Sequence, residues 1–409
     1  MSKAMPDQQP RIIVFSTLFP SPSQPGAGLF IRERMFRVAQ RLPLVVVSPQ
    51  PWFPLQRVIR WFAPNFRLPT PAFEMQGTIS IYRPRFFCVP RFLKNLDGFF
   101  MALGAFSTVR MLKKSQNFNL IDAHFGYPDG YAATMLGHWL KLPVTITLRG
   151  TETGHANDPA RRPQLMIGLM RATRIFSVSA SLKAIAESLG IPGDRIRVVG
   201  NGVDLTKFYP VGRDEARRQL ALPLDAKILI SVGGLVERKG FHRVIACLPA
   251  LCKQFPNLYY LIVGGASAEG NIEAQLRQQT AQLGLQERVR FLGVVPPEQL
   301  KISLSAADVF VLATRNEGWA NVFLEAMACG LPVVTTDVGG NREVINDPEL
   351  GMIVPFGDGV ALEQALYEAL AKSWDRTAIR RYAEANDWEG RVDLLCELFR
   401  ELAPPLASH

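Results

Sequence analysis

Two doubly wound α/β domains facing one another across a cleft are the architecture this sequence predicts, and three observations predict it. Short β-branched runs alternate with helical patterns along nearly the whole chain, as parallel α/β units require. The alternation breaks once, at Asn201-Gly-Val-Asp-Leu-Thr-Lys-Phe-Tyr-Pro210, where Asn-Gly is a turn dipeptide and Pro210 stops extended pairing. At 409 residues, moreover, the chain is too long for one ordinary core.

In the first half the runs at 11–16, 44–48, 120–124, 144–148, 175–178 and 196–199 read as strands, with helices at 28–40, 130–139 and 181–190. In the second half strands are expected at 227–232, 258–263, 289–292, 309–312, 333–335 and 352–354. The helices there fall at 240–254, 272–283, 298–306 and 322–330. The expected division is a first domain over 1–205, a second over 206–380, and a terminal segment over 381–409. Residues 387–400 of that segment form an amphipathic helix that packs back on the first domain. In doubly wound sheets ligands lie beyond the carboxyl ends of the strands, so the residues just after each strand are the functional candidates.

Bulk composition narrows the class further. An apolar fraction of 48 % suits a globular protein with a large core. The cysteines Cys88, Cys247, Cys252, Cys329 and Cys396 are scattered with no CxxC pair, which argues for a reducing compartment and against a disulfide framework or a zinc site. The first ten residues are polar, without the apolar core of a secretory signal. The apolar run 99–109 is about half the ~20 residues that span a bilayer. A cytoplasmic, soluble protein is expected, with peripheral contact at the inner face of the plasma membrane as the alternative to keep in view.

That alternative comes from the charge distribution. Between Pro51 and Lys114 stand ten basic residues (Arg57, Arg60, Arg67, Arg83, Arg85, Arg91, Lys94, Arg110, Lys113 and Lys114) against Glu74 and Asp97 alone. This stretch therefore carries most of the formal net charge of +10. It is crowded with aromatic residues, among them Trp52, Trp61, Phe62 and Phe92. Cations beside apolar rings suit an anionic lipid interface, and single-stranded nucleic acid uses the same mixture. A core helix with a solvated basic face has the same composition. The first and last of these readings stay open, and nucleic acid is not expected as a partner.

In the second half, Glu317-Gly-Trp-Ala-Asn-Val-Phe-Leu-Glu325 follows the predicted strand 309–312. Gly318 and Ala320 are small, and Asn321 is a plausible helix start. The amides of Ala320, Asn321 and Val322 then point where a helix N-terminus stabilises a diphosphate. Glu325, one turn on, is placed to accept bonds from hydroxyls. A lone Glu-x7-Glu is a common chance pattern; the surroundings give it meaning. The run from Glu317 through Ala-Met-Ala-Cys-Gly-Leu-Pro-Val-Val-Thr-Thr-Asp-Val-Gly-Gly-Asn-Arg-Glu343 closely resembles the donor-site signature of retaining glycosyltransferase family 4. Upstream, Ile-Leu-Ile-Ser-Val-Gly-Gly-Leu-Val-Glu-Arg-Lys-Gly240 resembles that family's phosphate loop. Leu-Ile-Val-Gly-Gly265, Val-Arg-Phe-Leu-Gly293 and Asn201-Gly-Val-Asp204 continue the resemblance in the family's order over nearly all of residues 11–390.

The resemblance implies a GT-B fold and a metal-independent retaining transferase with no cofactor. Its donor is a nucleoside-diphosphate sugar, UDP-linked rather than GDP-linked. Gly233 and Gly234 let backbone approach a phosphate, and Arg238 and Lys239 neutralise it. No Asp-x-Asp occurs in the chain, in keeping with that charge pairing standing in for a divalent metal. The family often carries Arg where this chain has Gly234, so Arg238 is expected to take over that role. By resemblance the base lies near Gly265 and Val294, Glu325 near the ribose, and Glu317 near the transferred sugar. Trp319 belongs to the same donor-site run.

In the first half, Phe19-Pro-Ser-Pro-Ser-Gln-Pro-Gly-Ala-Gly-Leu-Phe30 joins a strand to a helix. Gly26 and Gly28 permit close approach to a phosphate, or serve a structural turn, and they occupy the place of the family's glycine loop. His124 ends a predicted strand facing the cleft, where the resemblance implies a histidine near the sugar that polarises a hydroxyl or orients the acceptor. Arg149-Gly-Thr-Glu152 follows another strand, so Arg149 and Thr151 join the acceptor candidates; Arg149 either binds an anionic group or pairs with Glu152. Asp129 either contacts the acceptor or caps the helix beginning near Gly130.

The first half also resembles bacterial surface-polysaccharide transferases in Val47-Ser-Pro-Gln-Pro-Trp-Phe-Pro54 and Ala123-His-Phe-Gly-Tyr-Pro-Asp-Gly130. A saccharide or polyprenyl-diphosphate-linked acceptor follows from that likeness, with residues 51–114 as the membrane contact. Two other functions compete: a sugar-nucleotide 2-epimerase, and a non-catalytic membrane-associated sugar-nucleotide-binding protein.

Overall fold

A computed structural model describes residues 9–63, 66–90, 92–267 and 269–404. Arg91 of the basic stretch, the first eight residues of the polar start and the last five of the terminal segment lie outside the described residues. The chain divides into two compact units, one comprising 1–201 with 389–409 and the other 202–388.

The first unit holds strands β1 (Ile12–Phe15), β2 (Leu44–Val47), β3 (Gln50–Trp52), β4 (Phe73–Gln76), β5 (Ile79–Tyr82) and β6 (Arg85–Phe87). It continues with β7 (Leu120–His124), β8 (Val144–Leu148), β9 (Arg174–Ser177) and β10 (Ile196–Val198). Its main sheet runs β10-β9-β8-β7-β1-β2-β5-β4, and only the edge strand β4 is antiparallel, joined to β5 by the two-residue turn Gly77-Thr78. β1, β2, β7 and β8 are buried at every position, which is why β1 and β2 appear in the sequence as unbroken apolar runs rather than as alternating patterns.

The second unit holds β11 (Lys227–Val232), β12 (Leu258–Val263), β13 (Val289–Gly293), β14 (Val309–Leu312), β15 (Val333–Thr336) and β16 (Gly351–Val354). They form one parallel sheet in the order β13-β12-β11-β14-β15-β16. Successive side chains enter opposite cores. Ile228, Ile230, Phe310 and Leu312 pack on one face, and Leu229, Tyr260, Val309 and Val311 on the other.

Both sheets are entered in the middle. From β1 the chain goes to β2 on one side and later to β7 on the other; from β11 it goes to β12 and later to β14. Between β1 and β7, and between β11 and β14, the winding direction reverses, and the loops leaving those strands diverge.

Residues 51–116 and the terminal segment differ from the sequence expectation, and further helices stand at Glu152–Ala156, Arg162–Arg171, Arg213–Gln219 and Gly359–Ala371. Residues 51–116 contain the helix Gln56–Phe62 and the β4–β5 hairpin, neither of which the sequence pattern announced, and the helix Asp97–Gln116, which buries Met101, Ala105, Val109 and Leu112 and exposes Arg110 and Lys114, as the core helix with a solvated basic face would. Gly104 lies inside that second helix because a Cβ there would come within 2.4 Å of the Arg85 carbonyl oxygen, so close packing on β6 selects the residue. The helix Arg376–Glu384 reaches past residue 381 yet stays in the second unit, against Asn321–Ala328. Only Glu389–Leu402 belongs to the first unit. There it packs on the helix Leu29–Ala39 and pairs Glu389 and Asp393 with Arg41. The two chain crossings run side by side: Val203 bridges Asp387, and the Val203 amide donates to the Asn386 carbonyl at 3.2 Å.

Asp308 ties the second sheet to the helix Arg213–Gln219. Its Oδ2 accepts from the Ile228 amide at 2.8 Å and from the buried Arg217 at 3.0 Å, while Arg213 bonds its Oδ1. Removing the carboxylate strands a buried guanidinium, which typically costs about 3–5 kcal/mol. Asp308→Ala is therefore expected to lower the urea midpoint of the full chain by a corresponding amount; an unchanged midpoint would count against this network as a stabilising element.

Candidate functional site

In the second unit the site is assembled by the loops after β11 and β14, the strands that flank the reversal. After β11 the chain passes Gly233 and Gly234, then makes the short turn Glu237–Lys239 and enters the helix Phe241–Gln254 at Gly240. Gly240 has φ 78°, and a Cβ there would sit 1.9 Å from the Ala313 carbonyl oxygen. Only glycine allows the turn to rest against the end of β14. The Arg315 amide donates to the Arg238 carbonyl at 2.8 Å and fastens the two loops together.

This brings three donors onto one oxygen. Glu317 Oε1 accepts from Lys239 Nζ at 2.6 Å, from an Arg238 terminal nitrogen at 3.2 Å and from Thr314 Oγ1 at 3.2 Å. Arg238 also grips Glu269 bidentately, at 2.9 and 2.6 Å, and donates to the Asn316 carbonyl at 2.8 Å. The Glu269 hydrogen bonds, aided by the charge of Glu317, hold the Arg238 guanidinium above its ordinary range. Arg238 and Lys239, expected on a phosphate, and Glu317, expected on a sugar, are thus one ion-paired cluster. The stem of Lys239 lies over Gly233, about 3.5 Å from where a Cβ would be.

The other donor candidates surround this cluster unevenly. At Gly234 a side chain would meet Ser267 at 3.0 Å, so the position the family often gives to arginine is closely bounded here. Gly265 accepts the Leu235 amide at 2.8 Å and faces Val294, which is 79 % exposed. Ala320 is the N-cap of the helix Asn321–Ala328 and supplies no side-chain cap; Val322 falls in its first turn, and Glu325 one turn in is half-buried. Trp319 packs on the core beneath. The Glu317 carbonyl accepts the Gly340 amide at 3.3 Å, so the glycine pair Gly339-Gly340 belongs to the same loop system.

In the first unit the loops after β1 and β7 meet in the same way. Thr17 donates its amide and hydroxyl to the two carboxylate oxygens of Asp129. Asp129 is buried and ties the glycine loop to the β7 loop; no side-chain cap is found on the helix Tyr131–Leu140. Burial pushes the Asp129 carboxyl up to about 7 against the opposing Thr17 hydrogen bonds, and the charge of Glu152 adds to the rise. Gly28, at φ 69°, packs on the Leu18 carbonyl, whereas Gly26 borders open space.

His124 is fully buried rather than presented at a surface. Its Nδ1 accepts from Arg149 Nε at 3.0 Å, which puts the proton on Nε2, 3.5 Å from Asp122 Oδ2. Burial, with the charges of Arg149 and Arg34, holds the imidazole well below its usual range, so it is neutral. The Arg149 guanidinium pairs with His124 and Asn201 (3.3 Å) instead of Glu152. Glu152 accepts the amides of Gly126, Arg149 and Gly150. Thr151 is exposed at the start of the helix Glu152–Ala156.

Four participants were not anticipated: Glu269, Thr314, Asp122 and Arg34. Asp122 carried a legible signal, a charge inside the apolar run Leu120–His124; burial raises its carboxyl to about 6. Arg34 is buried on the helix Leu29–Ala39 and donates to the Val199 carbonyl at 2.7 Å. Glu269 and Thr314 carried none. Among the described residues no group of three or more His, Cys, Asp or Glu is arranged to hold a metal ion, and no helix is long and apolar enough to cross a membrane.

Residues 58–207 match the family described as Glycosyltransferase Family 4, and residues 212–386 match Glycosyl transferases group 1. A D-inositol 3-phosphate glycosyltransferase of Corynebacterium urealyticum is 34 % identical over 306 residues, covering 70 % of this chain and 72 % of that protein. The chain belongs to glycosyltransferase family 4. It is a glycosyltransferase with the GT-B type of fold, built from two Rossmann-like domains. The transferase is also similar to the putative teichuronic acid biosynthesis glycosyltransferase TuaC of Bacillus subtilis, at 28 % identity over 93 % of this chain and 91 % of that one. Among solved structures, HepE of Anabaena in complex with UDP and glucose superposes with a TM-score of 0.73. Its identity is 18 %, with 96 % of this chain and 100 % of that one covered.

The raised Asp129 carboxyl has a consequence for stability. The folded state keeps a proton that the unfolded chain, with an ordinary carboxyl near 4, has lost. Its contribution is present below about pH 4 and is lost as pH rises through about 7. An Asp129→Asn transferase lacks that loss. The difference in unfolding free energy, variant minus wild type, is expected to grow between pH 4 and 7 in parallel urea titrations; a flat difference would contradict the buried, proton-holding carboxyl.

Proposed function

We propose that this transferase is a retaining, metal-independent enzyme that moves a sugar from a nucleoside-diphosphate donor, UDP-linked by preference, to a hydroxyl of a lipid-linked saccharide. The setting is bacterial surface-polysaccharide assembly at the cytoplasmic face of the membrane. The observation that carries the reading is the convergence of Lys239, Arg238 and Thr314 on Glu317 at the carboxyl ends of β11 and β14. Two cations held within 3.2 Å of one carboxylate are poised to exchange it for a diphosphate, because phosphate oxygens offer more acceptor sites and charge than Glu317 does. Glu317 is then released toward the sugar, where it binds a hydroxyl and stabilises positive charge developing at the anomeric carbon. The uncapped start of Asn321–Ala328 supports the same anion.

In this reading the acceptor oxygen attacks from the face the diphosphate leaves, and the leaving phosphate takes the acceptor proton, so configuration is kept without a covalent nucleophile. Positioning and preorganised charge supply the rate. In the first unit, neutral His124 is set by Arg149 and so acts on orientation rather than as a proton carrier. The name of TuaC, which refers to teichuronic acid biosynthesis, favours the surface-polymer setting, and the UDP and glucose in the HepE complex favour a UDP-linked donor.

A thermal-shift screen with UDP-, GDP- and ADP-sugars is expected to show selective stabilisation by UDP donors. Transfer by Lys239→Ala should fall about 100-fold or more, with weakened UDP binding. Glu317→Ala should lose turnover to a similar degree while binding UDP at least as well, because the competing carboxylate is gone. Full activity in either variant would sink the site assignment. Transfer rates are expected to be unchanged by EDTA, and conversion of UDP-N-acetylglucosamine to its epimer without an acceptor would replace the transfer reading with epimerisation.

A further inference from the structure

A cavity lined wholly by residues of the first unit includes none of the cluster around Glu317. Its volume is about 650 Å³, and five arginines line it (Arg57, Arg60, Arg67, Arg83 and Arg85), with no acidic residue among the described residues of the lining. Thr17, Ser23 and Gln24 of the glycine loop form another part of its wall. Like charges gathered in one lining repel one another, so a cavity of this composition favours an anion.

The hydrogen bonding sharpens that preference. Arg83 has a fully buried side chain, and one terminal nitrogen serves both Glu74 (2.7 Å) and the Pro20 carbonyl (2.8 Å). Its Nε and other terminal nitrogen are buried with no acceptor among the described residues. Two buried guanidinium donors without acceptors are costly unless a ligand satisfies them. Among the described residues Arg60 donates to the Phe66 and Arg67 carbonyls, and Arg67 to Cys88. Arg57 and Arg85 are exposed and have no carboxylate partner among the described residues. A phosphoryl or diphosphoryl group, with many acceptor oxygens and more than one negative charge, fits a fork of arginines better than a neutral sugar does.

The helix Gln56–Phe62 states what is attached to that group. Arg57 and Arg60, three apart, line the cavity, whereas Val58, Trp61 and Phe62, three and four apart, form a different stripe. Trp61 is 80 % exposed and Phe62 86 %, an arrangement water alone does not favour. One seven-residue helix thus carries cations on the cavity side and aromatic rings outside, the pairing that a phosphate joined to a hydrocarbon chain would complement.

We infer that this cavity binds the phosphoryl or diphosphoryl group of a lipid acceptor, with Trp61 and Phe62 seated in the hydrocarbon beside it. The inference rests on the lipid-linked acceptor of the proposed function and gives that acceptor a binding site. The anchored lipid phosphate holds its saccharide near the glycine loop, whose Thr17 is fixed by Asp129.

Three probes separate the sources of phosphate: inorganic pyrophosphate in solution, farnesyl diphosphate in neutral phosphatidylcholine vesicles, and phosphatidylglycerol vesicles. The full chain is expected to bind the farnesyl diphosphate vesicles at least 10-fold more tightly than either other probe. Arg57→Ser with Arg85→Ser should weaken binding of farnesyl diphosphate and pyrophosphate about 10-fold or more. Trp61→Ser with Phe62→Ser should weaken only the lipid-bearing probes. All four positions are exposed, and circular dichroism with UDP affinity checks that each variant is folded. Equal binding of pyrophosphate and farnesyl diphosphate, equal binding of phosphatidylglycerol vesicles, or no effect of the arginine pair would each overturn the inference. Normal UDP binding alongside such a result leaves the transferase reading standing. Loss of all sugar-nucleotide binding in the wild type would instead remove that reading, whatever the lipid result.

Discussion

Parallel strand pairing is the constraint from which the functional arrangement follows. Each sheet is entered at a central strand and wound outward in both directions, so every strand that matters ends at the same edge. The loops after β11 and β14 therefore meet although more than seventy residues separate them, and the loops after β1 and β7 do so across more than a hundred. Neither pairing requires a local sequence signal. The interior strands need be apolar enough to be buried on both faces, and the reversal of winding does the rest.

Within that frame, charge is held in place by opposing charge. Lys239 and Arg238 share Glu317 and Arg238 also holds Glu269, while Asp308 holds Arg213 and Arg217. These two clusters have the same chemistry and different burdens. The Asp308 cluster also accepts a backbone amide of the sheet, so it is part of the fold. The Glu317 cluster lies on loops and is partly open to solvent, so exchange of one anion for another there does not disturb a strand. A similar contrast runs through the first unit, where His124, Asp122 and Arg34 are buried while Arg57 and Arg85 stand exposed at an arginine-lined cavity.

Backbone geometry sets how close these loops come. The turn at Gly240 rests on the Ala313 carbonyl, and the helix around Gly104 rests on Arg85, both at distances that exclude a Cβ. The positions of Lys239 and of the long helix over β6 are consequences of missing side chains as much as of present ones. Family membership agrees with this economy: the matched segments, 58–207 and 212–386, between them span the loop systems after β7 and after β11 and β14.

The sequence by itself determined the fold class and the strands of the second sheet nearly to the residue, and it carried in the run from Glu317 to Glu343 a resemblance to the family's donor-site signature. It could do so because fully buried parallel strands are continuous apolar runs, and because turns that exclude a Cβ must be written as glycine. The tertiary structure alone decided that Glu317 is the partner of Lys239 and Arg238, since residues 78 and 79 positions apart carry no mark of their pairing. It alone decided that Glu269 competes for Arg238, that His124 is buried behind Arg149, and that Asp129 holds Thr17. Residues 51–114 show the limit most clearly. Their composition disclosed charge and aromatic rings, but which arginines enclose a cavity and which rings stand exposed depends on how these segments fold together. The information lies in contacts between segments, and a linear pattern does not contain them.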